Sequence, residues 1–303
     1  MISEKWRMPV IGAFVVAVVL LVVGGLDWPQ MNASAVEDLA QSGGQAKPKP
    51  PQEQDEVVNL RGSLVTLGVR ATDGKSRDVH GLKAPDFSVY ENGTLQKITF
   101  FSEEPQPVSL GLLLDKSGSM LDGAKIVRAK TAAVSLVKAS HPGNEFLYIP
   151  FDHEVTVAVN FTTDREPLET AISKTYSAGG GTSLYDAILV GLDRLAKARH
   201  QRQVLVAITD GTDQHSQHTL DDVIERLQAS QAQLYLIGYF SKEEAAGFRD
   251  LGETFRLING QEVDNPLFAF KRLAEESGAE YFFPKSDDDL SRAVEFISND
   301  LQR

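Results

Sequence analysis

The chain has 303 residues, with 42 acidic against 30 basic side chains, a net charge of -12 and no cysteine. That length suits one α/β domain plus a smaller unit. The negative surface repels phosphate backbones, which argues against nucleic acid as a partner, and without cysteine there is no disulfide framework, thiolate metal site or lipid-modified cysteine.

Residues 10–26 are uncharged and rich in Val and Leu. Their length is near the lower limit for a helix that crosses a bilayer. Lys5 and Arg7 precede them and Asp27, Glu37 and Asp38 follow, so the positive-inside rule keeps residues 1–9 in the cytoplasm. The only two tryptophans, Trp6 and Trp28, flank the segment. Along a helix they would stand ~33 Å apart, close to the distance between the two membrane interfaces. The expectation is a single-pass membrane anchor with the bulk of the chain periplasmic or extracellular. The alternative is secretion after cleavage of a signal peptide at Ala33-Ser34-Ala35. Residues 27–56, with Ser-Gly-Gly and Lys-Pro-Lys-Pro-Pro, read as an extended linker.

Residues 57–106 read as a small antiparallel β unit. Val65, Leu67, Val69 and Ala71 alternate with polar or small residues, the period of a half-buried strand. Segments 87–91 and 95–101 flank Asn92-Gly93, a short hairpin signal.

From residue 107 to 303 strands and helices alternate. Strands are expected at 108–114, 146–151, 155–161, 204–208, 234–240 and 281–283. Helices are expected along the face Ile126, Ala129, Ala133, Val134 and Val137, and at 166–174, 184–198, 220–229 and Pro266–Ser277. Ser286 caps a last helix whose first turn holds Asp287, Asp288 and Asp289. Short apolar strands between helices imply a mostly parallel sheet with helices on both faces. Only Asp152-His153-Glu154 separates 146–151 from 155–161, so the latter is expected as an antiparallel edge strand.

Three loops on this framework carry oxygen donors. Asp115-Lys116-Ser117-Gly118-Ser119 follows the first apolar strand. Gly179-Gly180-Gly181-Thr182-Ser183-Leu184-Tyr185-Asp186-Ala187 leads into an amphipathic helix, and Thr209-Asp210-Gly211-Thr212-Asp213 follows strand 204–208. Carboxylates and hydroxyls of this kind suit a hard cation, which takes oxygen ligands. Asp115 and Asp210 also fall at the carboxyl ends of strands, where open α/β sheets bind ligands.

In this order the three loops resemble the metal-ion-dependent adhesion site of von Willebrand factor type A (VWA) domains, and the β segment before them resembles that of a group of bacterial VWA-related proteins. The resemblance implies an α/β VWA fold, Rossmann-like, over residues 107–303. It implies a Mg2+ ion, with Mn2+ or Ca2+ as alternatives, held by Asp115, Ser117, Ser119, Thr182 and Asp210. It further implies a coordination position left for an Asp or Glu carboxylate of a partner protein, as in cell adhesion. Asp186 and Asp213 are candidates for orienting that set from behind, Asp186 having helix-dipole stabilisation as its plainer reading.

The plainer reading of the loops is structural, with Ser119 a helix N-cap and Gly179, Gly180 and Gly181 a turn. His215 and His218 read as exposed loop residues rather than metal ligands, Asp152 as a turn residue, and Tyr235, Tyr239, Phe240, Phe268 and Phe270 as core. No Gly-x-Ser-x-Gly, phosphate-loop or His-Glu-x-x-His motif occurs, so a binding module is expected rather than an enzyme. Two alternatives stand beside it: a scaffold of a membrane complex whose metal is only structural, and a metal-dependent hydrolase using Asp115 and Asp210.

Overall fold

The computed structural model describes residues 69, 71, 73, 79, 81–104 and 106–302. The expected anchor at 10–26, the linker and most of the strand around Val65 lie outside these residues. Among the described residues no helix is long and apolar enough to cross a membrane. The chain divides into two compact units, residues 1–102 and 103–303.

In the first unit, β1 (Val89–Glu91) pairs antiparallel with β2 (Thr94–Gln96), with Tyr90 opposite Leu95. Asn92 and Gly93 turn the chain with φ of 48° and 78°. Such a turn matches the twist of the flanking strands and needs residues that tolerate positive φ. The ladder is shorter than expected: pairing stops at Gln96 instead of running to Phe101. Val69 and Ala71 are described but belong to no strand.

The second unit is built on a six-stranded sheet of order β10-β7-β6-β3-β4-β5. Its strands are β3 (Ser109–Asp115), β4 (Glu145–Phe151), β5 (Val159–Thr162), β6 (Gln203–Thr209), β7 (Gln233–Gly238) and β10 (Tyr281–Phe282). All neighbours run parallel except β5, which is antiparallel at one edge. Two further short strands, described below, form a separate pair. The expected strand 155–161 is only partly laddered. Val155 makes a single bridge to Phe151, and regular pairing starts at Val159.

Alternation along each strand divides the core in two. Leu110, Leu112, Leu114, Val204, Val206 and Ile208 face one side. There α1 (Lys125–Ala139), α2 (Arg165–Lys174) and α7 (Asp287–Leu301) cover them. Leu113, Leu147, Ile149, Leu205 and Ala207 face the other, under α3 (Leu184–Leu195), α4 (Leu220–Gln228) and α6 (Pro266–Ser277). Burial on both faces is why the strands read as continuous apolar runs rather than alternating ones. Tyr235, Tyr239 and Phe270 are buried and Phe240 and Phe268 half-buried in this core. Ser286 caps α7, its hydroxyl accepting the Asp289 N–H at 3.1 Å.

Between β7 and α6 the structure adds an element pair that the sequence pattern does not announce. α5 (Lys242–Arg249) is followed by a hairpin of β8 (Thr254–Arg256) and β9 (Glu262–Asp264). Asn265 fastens this insertion. Its amide donates to the Phe248 and Gly252 carbonyls at 2.7 and 2.9 Å, and its carbonyl accepts the Leu267 N–H at 3.0 Å, capping α6.

Candidate metal centre

The three oxygen-bearing loops meet at the carboxyl edge of the sheet. β3 ends in Asp115 and β6 in Thr209, one residue before Asp210, on adjacent parallel strands. Asp115 is fully buried. One carboxylate oxygen accepts the Ser117 N–H at 2.7 Å and the other accepts the Thr209 hydroxyl. The Ser117 and Ser119 hydroxyl oxygens stand 3.1 Å apart, and Ser119 donates to Asp210 Oδ1 at 2.7 Å. The Lys125 ammonium donates to Asp210 Oδ2, also at 2.7 Å. Four of the five expected ligands, Asp115, Ser117, Ser119 and Asp210, thus belong to one hydrogen-bonded cluster.

Thr182, in the second loop, lies against the third loop at Gly211, the residue after Asp210. It is buried, and a Cβ placed on Gly211 would lie 3.0 Å from its hydroxyl oxygen. Its carbonyl accepts the N–H groups of Gln214 and His215, both at 3.0 Å. The first two loops are joined as well: Gly118 N–H donates to the Gly180 carbonyl at 3.1 Å, and the Ser177 hydroxyl donates to the Ser117 carbonyl at 2.6 Å. Gly179 and Gly180 hold φ of 92° and 101°, a backbone region that side chains strain. The glycines therefore do more than loosen a turn; they give the second loop a backbone path that other residues would strain, and a Cβ on Gly118 of the first loop would lie 3.5 Å from Gly179.

Ser119 is not a helix N-cap. It lies inside a 3-10 turn, Gly118–Ala124, and its hydroxyl is committed to Asp210. Asp186 and Asp213 make no hydrogen bond to the five expected ligands; they hold neighbouring backbone. Asp213 accepts the Tyr185 N–H at 2.9 Å and the Ser216 hydroxyl at 2.6 Å. Asp186 accepts the Gln217 N–H at 3.0 Å and pairs with the His218 ring at 2.7 Å. Together they staple the third loop to the start of α3, which fixes the backbone beside Thr182. His215 and His218 are both exposed, and the Asp186 hydrogen bond raises the His218 pKa. Asp152 makes the expected turn, accepting the Glu154 N–H at 2.8 Å, and also pairs with Lys116.

Thr209 and Lys125 are the contributors that reading the sequence does not single out. Thr209 stands beside Asp210 in the third loop, a weak signal. Lys125 carries none, since it only opens α1.

Among the described residues no group of three or more His, Asp or Glu side chains gathers as a metal cage. The donor set here is different: two carboxylates and three hydroxyls, all oxygen, as a hard cation requires. Two observations bear on whether a cation suits it. Asp210 already holds a cation, the Lys125 ammonium. Asp115, by contrast, forms no ion pair among the described residues although it is fully buried. Burial pushes its pKa up to about 7, against the hydrogen bonds from Thr209 and Ser117, and the Asp210 charge raises it further. A buried carboxylate in this position gains most from a nearby cation.

The sign of the resulting pH dependence is definite. Folding raises this pKa from its ordinary value of 3.8. Between that value and about 7 the folded state binds a proton that the unfolded state does not, so stability falls as pH rises through this window. The metal-free wild type should gain several degrees of melting temperature between pH 8 and pH 5.5 relative to Asp115→Asn, at roughly 2–4 °C per kcal/mol for a unit of this size. Parallel pH profiles of the two proteins would show that Asp115 does not titrate in that range.

Residues 110–212 match the family model described as von Willebrand factor type A domain. All five expected ligands fall inside that segment. An uncharacterized protein of Synechocystis sp. is 31% identical over 113 residues, which are 36% of this chain and 26% of that protein. Bovine inter-alpha-trypsin inhibitor heavy chain H4 is 28% identical over 116 residues, 35% of this chain and 13% of its own length. The chain therefore spans about a quarter or less of these two relatives. Among solved structures, BatB from Bacteroides thetaiotaomicron superposes with a TM-score of 0.50 at 16% identity, over 65% of this chain and all of the other. A von Willebrand factor type A protein from Catenulispora acidiphila gives 0.50 at 17% identity, over 65% and 43%. The resemblance to VWA domain proteins holds in both sequence and fold, and VWA domains are protein-interaction modules.

Proposed function

We propose that this chain is a membrane-anchored, extracytoplasmic VWA module that binds a partner protein through Mg2+. Asp115, Ser117, Ser119, Thr182 and Asp210 would hold the ion, which when bound supplies an under-neutralised positive charge for a partner's Asp or Glu side chain. The observation that carries the reading is the oxygen cluster, buried except at Ser119, with only two carboxylates, one of them without a counter-cation among the described residues. The protein's own part is to keep the donors in place: Thr209 and the Ser117 backbone orient Asp115, and Ser119 orients Asp210.

The test is affinity capture from a detergent-solubilised cell envelope, using the full chain as bait in magnesium and in EDTA. A protein retained by its surface carboxylate is expected only with magnesium. Equal retention in EDTA would refute metal-bridged binding and favour the scaffold reading. Turnover of phosphate or ester substrates that EDTA removes would favour the hydrolase.

A further inference from the structure

We infer that Lys125 is a tethered cation that fills the Asp210 end of the site in the absence of a divalent ion and passes to Glu244 of α5 when one binds. The inference rests on the metal-binding reading above and assigns to it a built-in competitor and a coupled element.

The geometry is that of a residue placed between two acceptors. Lys125 Nζ is 2.7 Å from Asp210 Oδ2 and 3.6 Å from Glu244 Oε2. The Asp210 side chain is fully buried, that of Lys125 is 12% exposed and that of Glu244 is 44% exposed. The ammonium therefore reaches inward to a buried carboxylate while a second, wetter carboxylate waits beside it. Glu244 is held ready, because Oε2 accepts the Ser241 N–H at 2.6 Å in the capping box of α5. Both oxygens of Asp210 are already taken, Oδ1 by the Ser119 hydroxyl and Oδ2 by Lys125.

An ion entering this cluster meets a like charge a few ångströms away in a weakly screening environment, where repulsion is strong. The ammonium must then leave Oδ2. Four methylenes give it the freedom to do so, and Glu244 is the nearest alternative. Lys125 thus does two things. It keeps Asp210 from being a buried unpaired charge in the metal-free protein, and it sets a threshold that the metal must exceed. Because Glu244 lies on α5, its transfer would also fasten the insertion between β7 and α6 more tightly when the site is loaded.

The experiment is magnesium titration of the full chain by calorimetry at one pH, with hydrogen exchange of α5. Lys125→Met should bind magnesium ~10-fold more tightly than wild type, within the usual range of coupling between sites. Glu244→Gln, an exposed substitution that spares the fold, should bind ~3-fold more weakly, as expected for a partly exposed ion pair. In the Lys125→Met background Glu244→Gln should have no further effect, since Glu244 acts only through the ammonium. Magnesium should protect Lys242–Arg249 from exchange in wild type and not in Glu244→Gln. Equal or weaker magnesium binding by Lys125→Met would overturn the inference while leaving the metal site standing. So would an undiminished effect of Glu244→Gln without the lysine. A wild-type chain that binds no magnesium would overturn the metal site itself.

Discussion

Asp115→Ala should weaken magnesium binding by at least ~100-fold, beyond what is typical for removing a group that merely orients a ligand. Of the five oxygen donors only Asp115 and Asp210 carry charge, and Asp210 also serves Ser119 and Lys125. Alanine at 115 leaves an incoming ion one shared carboxylate and three neutral hydroxyls. The same change strands the Thr209 hydroxyl and the Ser117 N–H that Asp115 accepts, at ~1–3 kcal/mol for each buried group left unpaired. It also removes a carboxylate whose burial is itself costly, and the two effects oppose. The fold should therefore survive, because β3 is held by parallel ladders to both β4 and β6. Calorimetric titration with magnesium, alongside far-UV circular dichroism, separates the outcomes. An unchanged affinity with an unchanged spectrum would remove Asp115 from the site and with it the metal-bridged reading.

How much of this could be read in the sequence depends on how local each signal is. The sheet strands announce themselves because both faces of β3, β4, β6 and β7 are buried, so each is a run of apolar residues. The three loops are legible because each is a compact stretch of donors next to a strand or helix. α5 and the β8–β9 hairpin escape because they have no apolar period to detect: α5 buries none of its residues, and the two strands have three residues each. The same limit applies inside the site. Lys125 and Asp210 are 85 residues apart, and Thr209 and Asp115 are 94 apart. No local pattern links such pairs; only the strand order brings them together. Ser119 shows the converse. Its position before a helix suits an N-cap, but the Asp210 carboxylate offers its hydroxyl a partner that only the folded sheet supplies.

Gly111→Val is expected to be strongly destabilising to the second unit. Gly111 lies midway along β3, opposite Leu205 of β6 and Leu147 of β4. A Cβ at 111 would lie 2.5 Å from Leu205 Cδ2 and 3.6 Å from Leu147 Cδ2. On the other side of the same leucine, a Cβ on Gly191 of α3 would lie 3.0 Å from Cδ2 and 3.1 Å from Cδ1. Leu205 thus fills a slot made by two residues without side chains, which lets α3 lie close on the sheet. Valine adds three carbons where Leu205 is fully buried and cannot swing out. Overpacking of this kind costs on the order of 3 kcal/mol, or ~6–12 °C in melting temperature at this size. If valine pushes α3 outward, the start of that helix moves too, and Thr182 stands two residues before it. Magnesium affinity should then fall together with stability, although residue 111 touches no ligand. Leu205→Ala in the Gly111→Val background should recover part of both losses, since the two sites share one contact. Calorimetric melting and magnesium titration of the single and double variants test this. A Gly111→Val protein that melts with wild type would mean that the slot relaxes freely and does not position α3.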